Sequence, residues 1–170
     1  MDFTKQDSRA AAEKPQFCHL RYPHNGEYIY DEDTGEAVGV MAVGSQSRSL
    51  QKKLREQSRE ALTKNEDKDE DEAWIQAAHE LMMEAAKNVT VGFVNIQRCE
   101  VDENGEVILN KNGEPKNKWD ATAPDDSAWF YDLNFVSVKA LKEEDKWHGQ
   151  SFSQQVAKFT SDIGNYLGNG

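Results

Sequence analysis

Glu72-Ala73-Trp74-Ile75-Gln76-Ala77-Ala78-His79-Glu80-Leu81-Met82-Met83-Glu84-Ala85-Ala86-Lys87-Asn88-Val89-Thr90-Val91-Gly92-Phe93-Val94-Asn95-Ile96 changes its period once, and that change decides the fold class. From Glu72 to about Lys87, Trp74, Ala78, Leu81, Met82 and Ala85 follow the i, i+4, i+7 spacing, with Ile75 at the border, so one side of a helix is apolar. Asn88 suits a helix stop. Val89 to Ile96 is then rich in β-branched and aromatic residues and reads as a buried strand. The expected fold is α+β: small antiparallel hairpins packed with three to four helices, a flexible N-terminal arm and an acidic linker.

Upstream, Glu66-Asp67-Lys68-Asp69-Glu70-Asp71-Glu72 places six acids in seven positions, a run that resists compaction, so residues 65–72 read as a solvated linker. It also puts negative charge where a helix macrodipole favours it. Before it, a helix is expected from about Arg48 to Thr63, with Ser45 or Ser47 as its cap. Its apolar stripe, Leu50, Leu54, Ala61 and Leu62, is thin, and Arg48, Lys52, Lys53, Arg55 and Arg59 crowd the rest. Such a helix lies on a surface or pairs with another chain. Further back, Glu27–Tyr30 and Ala37–Val43 flank an Asp-rich turn at 31–36 that contains Gly35, a hairpin signature. Residues 1–25 hold no sustained period and read as the flexible arm. Residues 26–170 make the single α+β domain.

Downstream, Glu103-Asn104-Gly105 and Asn112-Gly113 flank Val107-Ile108-Leu109, which predicts a long second hairpin over 97–118. Pro115 to Asp126 reads as a polar loop holding Trp119. Trp129 to Val136 is the densest apolar patch and fits a strand or a short helix. A final helix starts near Ser151 or Ser153 and runs to about Ile163, with Phe152, Val156, Phe159 and Ile163 on one face and Gly164-Asn165 ending it. No internal repeat of fixed period is evident.

Composition narrows the function. Of the 170 residues, 37% are apolar and 30% charged, which points to a small core with flexible segments around it. The net charge of −11 is unevenly placed: residues 1–64 carry ten acids and ten bases, so residues 65–170 carry the whole excess. Nucleic-acid phosphate is repelled by that half, and self-repulsion keeps a protein dissolved. No apolar run reaches the length of a membrane span, and the first residues lack a signal-peptide pattern. The expected compartment is therefore the cytoplasm, where Cys18 and Cys99 are a buried pair of thiols.

No catalytic or cofactor constellation emerges, so no enzyme activity and no cofactor is expected. Gly35, Gly39 and Gly44 lack phosphate-loop spacing. Cys18, His19, His24 and Cys99 fit no zinc spacing. His79 falls on the polar flank of its helix, and His148 has no nearby nucleophile in sequence. Asp102-Glu103-Asn104-Gly105-Glu106 puts Gly fourth, whereas a calcium loop needs it sixth, so a β-turn explains the segment better.

Three passages carry a family resemblance. One is a strand ending Val43-Gly44-Ser45-Gln46-Ser47 that leads into the basic helix Arg48 to Arg59. The second is Ala85 to Ile96, helix into strand. The third is Ser151-Phe152-Ser153-Gln154-Gln155-Val156-Ala157-Lys158-Phe159, followed by Asp162-Ile163-Gly164-Asn165-Tyr166. In this order they resemble the tail assembly chaperones of long-tailed bacteriophages, over about residues 27–96 and 147–167. Phe93 stands where that family often has Trp, and Gln46 where it often has Asp.

The resemblance implies binding of the tape measure protein, and of the tail tube protein, before polymerisation in the host cytoplasm, together with self-association into a homo-oligomer. A helix-in-groove mode would use Phe152, Val156 and Phe159, or Trp74, Leu81 and Met82, as anchors. The same stripes also fit an ordinary core, the commoner use of such a face. Two other functions remain open: a structural virion component of the tail or head, and an acidic DNA mimic that inhibits a host nuclease.

Overall fold

The computed structural model describes residues 8–61, 70–133 and 150–167, with the side chains of 57–61 and 70–79 outside the description. In chain order the elements are α1 (Arg9–Ala12), β1 (Gln16–His19), β2 (Gly39–Ala42), α2 (Arg48–Ala61), α3 (Glu70–Val89), β3 (Thr90–Val94), β4 (Gln97–Cys99), β5 (Lys118–Asp120), α4 (Ser127–Asp132), α5 (Phe152–Ser161) and α6 (Gly164–Leu167). Helices together with antiparallel sheets make an α+β fold.

The main sheet has the order β1-β2-β3, antiparallel throughout. Side chains alternate across it. Cys18, Val40 and Phe93 meet on one face, and Phe17, Met41 and Gly92 on the other. The first face is the core. It is closed by α3, α4 and α5, which bring Ala86, Val89, Phe130, Tyr131, Phe152 and Val156 against it. Phe152 stacks on Phe130 with centroids 5.0 Å apart, and Phe93 meets Phe130 edge-on at 5.2 Å, geometries that aromatic quadrupoles favour.

The helix-to-strand passage behaves as its period predicts, with α3 ending directly at β3. Thr90 makes the junction: its hydroxyl donates to the Ala86 carbonyl at 2.7 Å, which satisfies a helix-end acceptor. Its single proton being used there, the buried Tyr131 hydroxyl, 2.5 Å away, is the donor to Thr90. Burial holds the Tyr131 phenol well above its ordinary range. Of the ambiguous run 129–136, Trp129 to Asp132 is helical within α4, and the remainder after Leu133 lies outside the described residues. Most of the acidic stretch 65–72 also lies outside them, although Glu70–Glu72 begin α3.

Ser47 caps α2, accepting from the Leu50 N–H at 3.3 Å. A second cap comes from far away in the chain: the Glu13 carboxylate accepts from the Ser49 N–H at 3.0 Å and its hydroxyl at 2.7 Å. Those two donors hold the Glu13 carboxyl below its ordinary range. Of the two expected starts of α5, Ser151 is the cap, and it forms a full capping box with Gln154. The helix ends earlier than expected, at Ser161. Asp162 is extended there, and its carboxylate accepts from the Gly164 N–H at 2.9 Å, so Gly164 opens α6 instead of ending α5.

The flexible arm of residues 1–25 is corrected over its described part. Ala12, Cys18 and Leu20 are core residues, and β1 pairs with β2 over its whole length. The strand is only four residues long between Pro15 and Pro23, too short to show a period of two in the sequence.

Both predicted hairpins exist in altered form. Tyr30 bridges Ala37 around the Asp31 turn, and β4 pairs β5 with Trp119 inside β5, not in a loop. Each turns out to contain a short repeat. In the first, Tyr22 and Asp31 each donate their N–H to the carbonyl of Glu27 or Glu36, five residues on, and each accepts from the preceding glycine, Gly26 or Gly35. In the second, one residue tighter, Asp102 and Asn110 donate to the carbonyls of Glu106 and Glu114, four residues on, and accept from Gly105 and Gly113. All four glycines have φ between 71° and 82°, the left-handed region that glycine enters without steric cost. Val107-Ile108-Leu109 is thus the pivot between the two turns. An eight-residue repeat relates 101–108 to 109–116, sharing Asn-Gly-Glu; it is far shorter than the repeats that build solenoids.

Candidate functional site

The ladder parity fixes which groups of β1 face outward. Leu20 donates to Val38 at 3.1 Å, so residues 16, 18 and 20 turn their backbone groups to β2, and residues 17, 19 and 21 turn theirs away. On that outer side runs a cleft of about 640 Å³. Cys18, His19 and Arg21 form one wall, and Gln155, Lys158 and Phe159 of α5 form the other.

One end of the edge is already paired. The Arg21 N–H donates to Gln155 Oε1 at 2.8 Å, and Gln155 Nε2 donates to the Arg21 carbonyl at 2.9 Å. A side-chain amide thus makes the same two-bond exchange that an antiparallel partner residue makes. Among the described residues, nothing pairs with the outward backbone groups of Phe17 and His19. An unpaired edge of this kind is a template for another strand.

The cleft is bordered by aromatic and cationic side chains. His19 stacks on Tyr28 at 4.4 Å and meets Tyr30 edge-on at 5.0 Å. Its Nε2 lies 2.8 Å from the Ile29 carbonyl, which places the ring proton on that nitrogen when the imidazole is neutral. The Arg21 guanidinium lies 4.0 Å above the Tyr28 ring and donates to its hydroxyl at 2.6 Å. Tyr28 and Tyr30 are about half exposed, at 44% and 52%. Tyr and Arg are the residues that most often anchor protein interfaces. Burial pushes the Cys18 thiol up to about 12, so it stays protonated at neutral pH and acts as a small apolar wall residue.

The anticipated anchors separate under this geometry. Phe152 and Val156 are corrected from docking residues to core: 6% and 0% exposed, they face α3, α4 and the sheet inside the monomer. Phe159, half-buried, packs on Tyr166 at 6.0 Å and lines the cleft. Leu81 is 71% exposed on α3 and Met82 half-buried, while the Trp74 side chain is outside the described set. His19, Arg21, Gln155 and Lys158 were not anticipated. His19 and Arg21 lie in a segment read as an arm, too short to show its period, and Gln155 and Lys158 lie on the polar flank of the last helix, where nothing in the sequence set them apart.

A second, smaller cleft of about 360 Å³ lies between α1 and α2, where Arg9, Arg48, Lys52 and Arg55 gather with Glu56. Both cysteines are free, Cys18 buried and Cys99 half-buried. Among the described residues no group of three His, Cys, Asp or Glu is placed to hold a metal ion, and no helix is long and apolar enough to cross a membrane. Comparison with protein-family models, curated proteins and solved structures found no match for this chain.

Proposed function

We propose that this protein is a tail assembly chaperone-like protein, binding tape measure and/or tail tube protein in the host cytoplasm before polymerisation. The observation that carries the reading is the open outer edge of β1 beside a cleft walled by α5, a place for an extended polypeptide. The three passages that resemble the family fall on the β2–α2, α3–β3 and α5–α6 segments, which share one core. A net charge of −11 suits a protein that keeps aggregation-prone partners dissolved.

Affinity capture with the tagged protein from phage-infected cells tests it. Recovery of the tape measure or tail tube protein early in infection supports the reading, and their absence from the captured set ends it. Mass spectrometry of purified virions separates a transient role from a permanent one. Stoichiometric copies in the particle would make this a structural component instead.

A further inference from the structure

We infer that Asn104 and Asn112 are sites of spontaneous covalent modification. Each cyclises onto the glycine that follows and opens to aspartate or isoaspartate, while the same dipeptide at Asn25-Gly26 is held unreactive by its turn. The inference is independent of what the protein binds. The reaction needs no partner but water. The glycine amide nitrogen, giving up its proton, bonds to the asparagine side-chain carbonyl carbon and ammonia leaves. Water then opens the five-membered imide at one carbonyl or the other. Glycine, having no Cβ, is the residue that least obstructs the ring.

Neither sequence nor exposure separates the three sites. Each reads Asn-Gly-Glu, with an exposed asparagine and a glycine at positive φ. Hydrogen bonding does separate them. The Asn25 side chain is clasped at both ends: its Nδ2 donates to Glu27 Oε2 at 2.9 Å, and its Oδ1 accepts from the Glu27 N–H at 3.0 Å. The Gly26 N–H donates to the Tyr22 carbonyl at 2.8 Å, and the Gly26 carbonyl accepts from the Arg21 guanidinium at 3.4 Å. Asn104 and Asn112 bond through their main-chain N–H alone, to Asp102 Oδ1 and Asn110 Oδ1, both at 2.8 Å. Among the described residues nothing holds their side-chain amides, so these are free to swing onto the next nitrogen.

Each glycine must give up one turn bond to react: Gly105 and Gly113 donate to the Asp102 and Asn110 carbonyls at 3.0 Å. The rate therefore follows local opening, which is easiest where little apolar surface is buried. Beside Gly26, Pro23 and Leu20 are buried and Ile29 packs on the core. Beside Gly105 and Gly113, Val101, Val107 and Leu109 are exposed. Each conversion adds a negative charge to a chain already at −11. The isoaspartate product also inserts a carbon into the main chain of the turn. That carbon falls between Asp102 and Glu106, or between Asn110 and Glu114, and breaks the bonds of 2.9 and 2.7 Å that close them.

The test incubates the full chain at mildly alkaline pH, folded and in urea, and reads each site by peptide mapping with mass spectrometry. In the folded chain Asn104 and Asn112 are expected to convert about tenfold faster than Asn25. In urea, where no turn is held, the three are expected to agree within about threefold. The isoaspartate forms, separated by anion exchange, are expected to exchange the Asp102 and Asn110 amides about tenfold faster than fresh protein. A chain carrying Asn104→Gln and Asn112→Gln, whose longer side chains disfavour ring closure, keeps its exchange constant through the same incubation. A folded-chain ratio no larger than the ratio in urea overturns the proposal. An outer asparagine that stays intact while the chain in urea converts overturns it as well. Unchanged exchange in the isoaspartate forms, or a rise that persists in the double variant, does the same.

Discussion

The two double turns are built from the same local chemistry and differ in what lies beneath them. In the inner one, residues 20–38, Leu20, Ile29 and Val38 bond in a ring: Leu20 to Val38, Val38 to Ile29, and Ile29 to Leu20. Leu20 is fully buried and Ile29 packs on the core. In the outer one, residues 100–116, Ile108 bonds to Glu100 and Lys116 bonds to Ile108 in the same way. There Val101, Val107 and Leu109 are roughly half exposed, at 46%, 45% and 57%. Asx-type hydrogen bonds and a positive-φ glycine are thus enough to shape such a unit, and burial decides only how firmly it is held. The inner copy reaches the cleft through Arg21, whose guanidinium rests on Tyr28. The outer copy stands on a two-stranded base, β4 and β5.

Mutations separate the two copies by magnitude. Leu20→Ala is expected to cost about 2–5 kcal/mol of unfolding free energy, as a large-to-small change at a sealed core position. A loss of stability within about 0.5 kcal/mol of wild type, the range of an ordinary surface site, would show that the inner unit is no better anchored than the outer. Arg98→Ala is next. Arg98 donates to Asp126 Oδ1 at 2.8 Å and lies 5.1 Å from the Trp129 ring and 5.6 Å from Trp119, so it joins the outer unit's base to α4. Its loss is expected to cost about 1.5–3 kcal/mol, the range for a hydrogen bond to a charged group, with exchange rising first at the β4–β5 amides.

Acid acts through the same link. The Thr122 N–H and the Arg98 guanidinium hold the Asp126 carboxyl below 3.8. A depressed carboxyl stabilises the fold fully above its unfolded value and loses that contribution as the pH falls through the lower folded value. Urea midpoints measured from about pH 5 down to about pH 2 should therefore fall, and Asp126→Asn should flatten that fall. An unchanged acid profile would detach Asp126 from the stability of the base. The smallest effect belongs to the outer tip. Val107→Ala should change unfolding free energy by no more than about 0.5 kcal/mol, as for surface sites free of special features, and a larger loss would mean the tip is covered in solution.

What could be read in the sequence follows from the range of the forces involved. The α3–β3 passage was legible because twenty-five consecutive residues state one period and then another. The start of the last helix near Ser151 and the turn at 31–36 were legible because their partners are within five residues. β1 was not. Its stability comes from pairing with residues 39–42 and from burying Cys18 and Leu20 beneath elements distant in the chain. The site shared that fate: Arg21 and Gln155, which define its end, are separated by 134 positions. Phe152 and Val156 illustrate the converse error. An apolar helical stripe shows that a face is covered, and says nothing about whether the cover is the same chain.

The turn after β2 joins three distant parts of the polypeptide. Gly44 donates to Ala12 at 2.8 Å, Ser45 donates to Thr160 at 3.0 Å, and the Tyr166 hydroxyl donates to Ala42 at 3.2 Å. A methyl group on Gly44 would come within 2.8 Å of the Ala12 side chain, so only glycine permits the meeting. On the ribosome, residues near 12 and 44 emerge long before 160 and 166. This corner can therefore close only after translation has passed Tyr166.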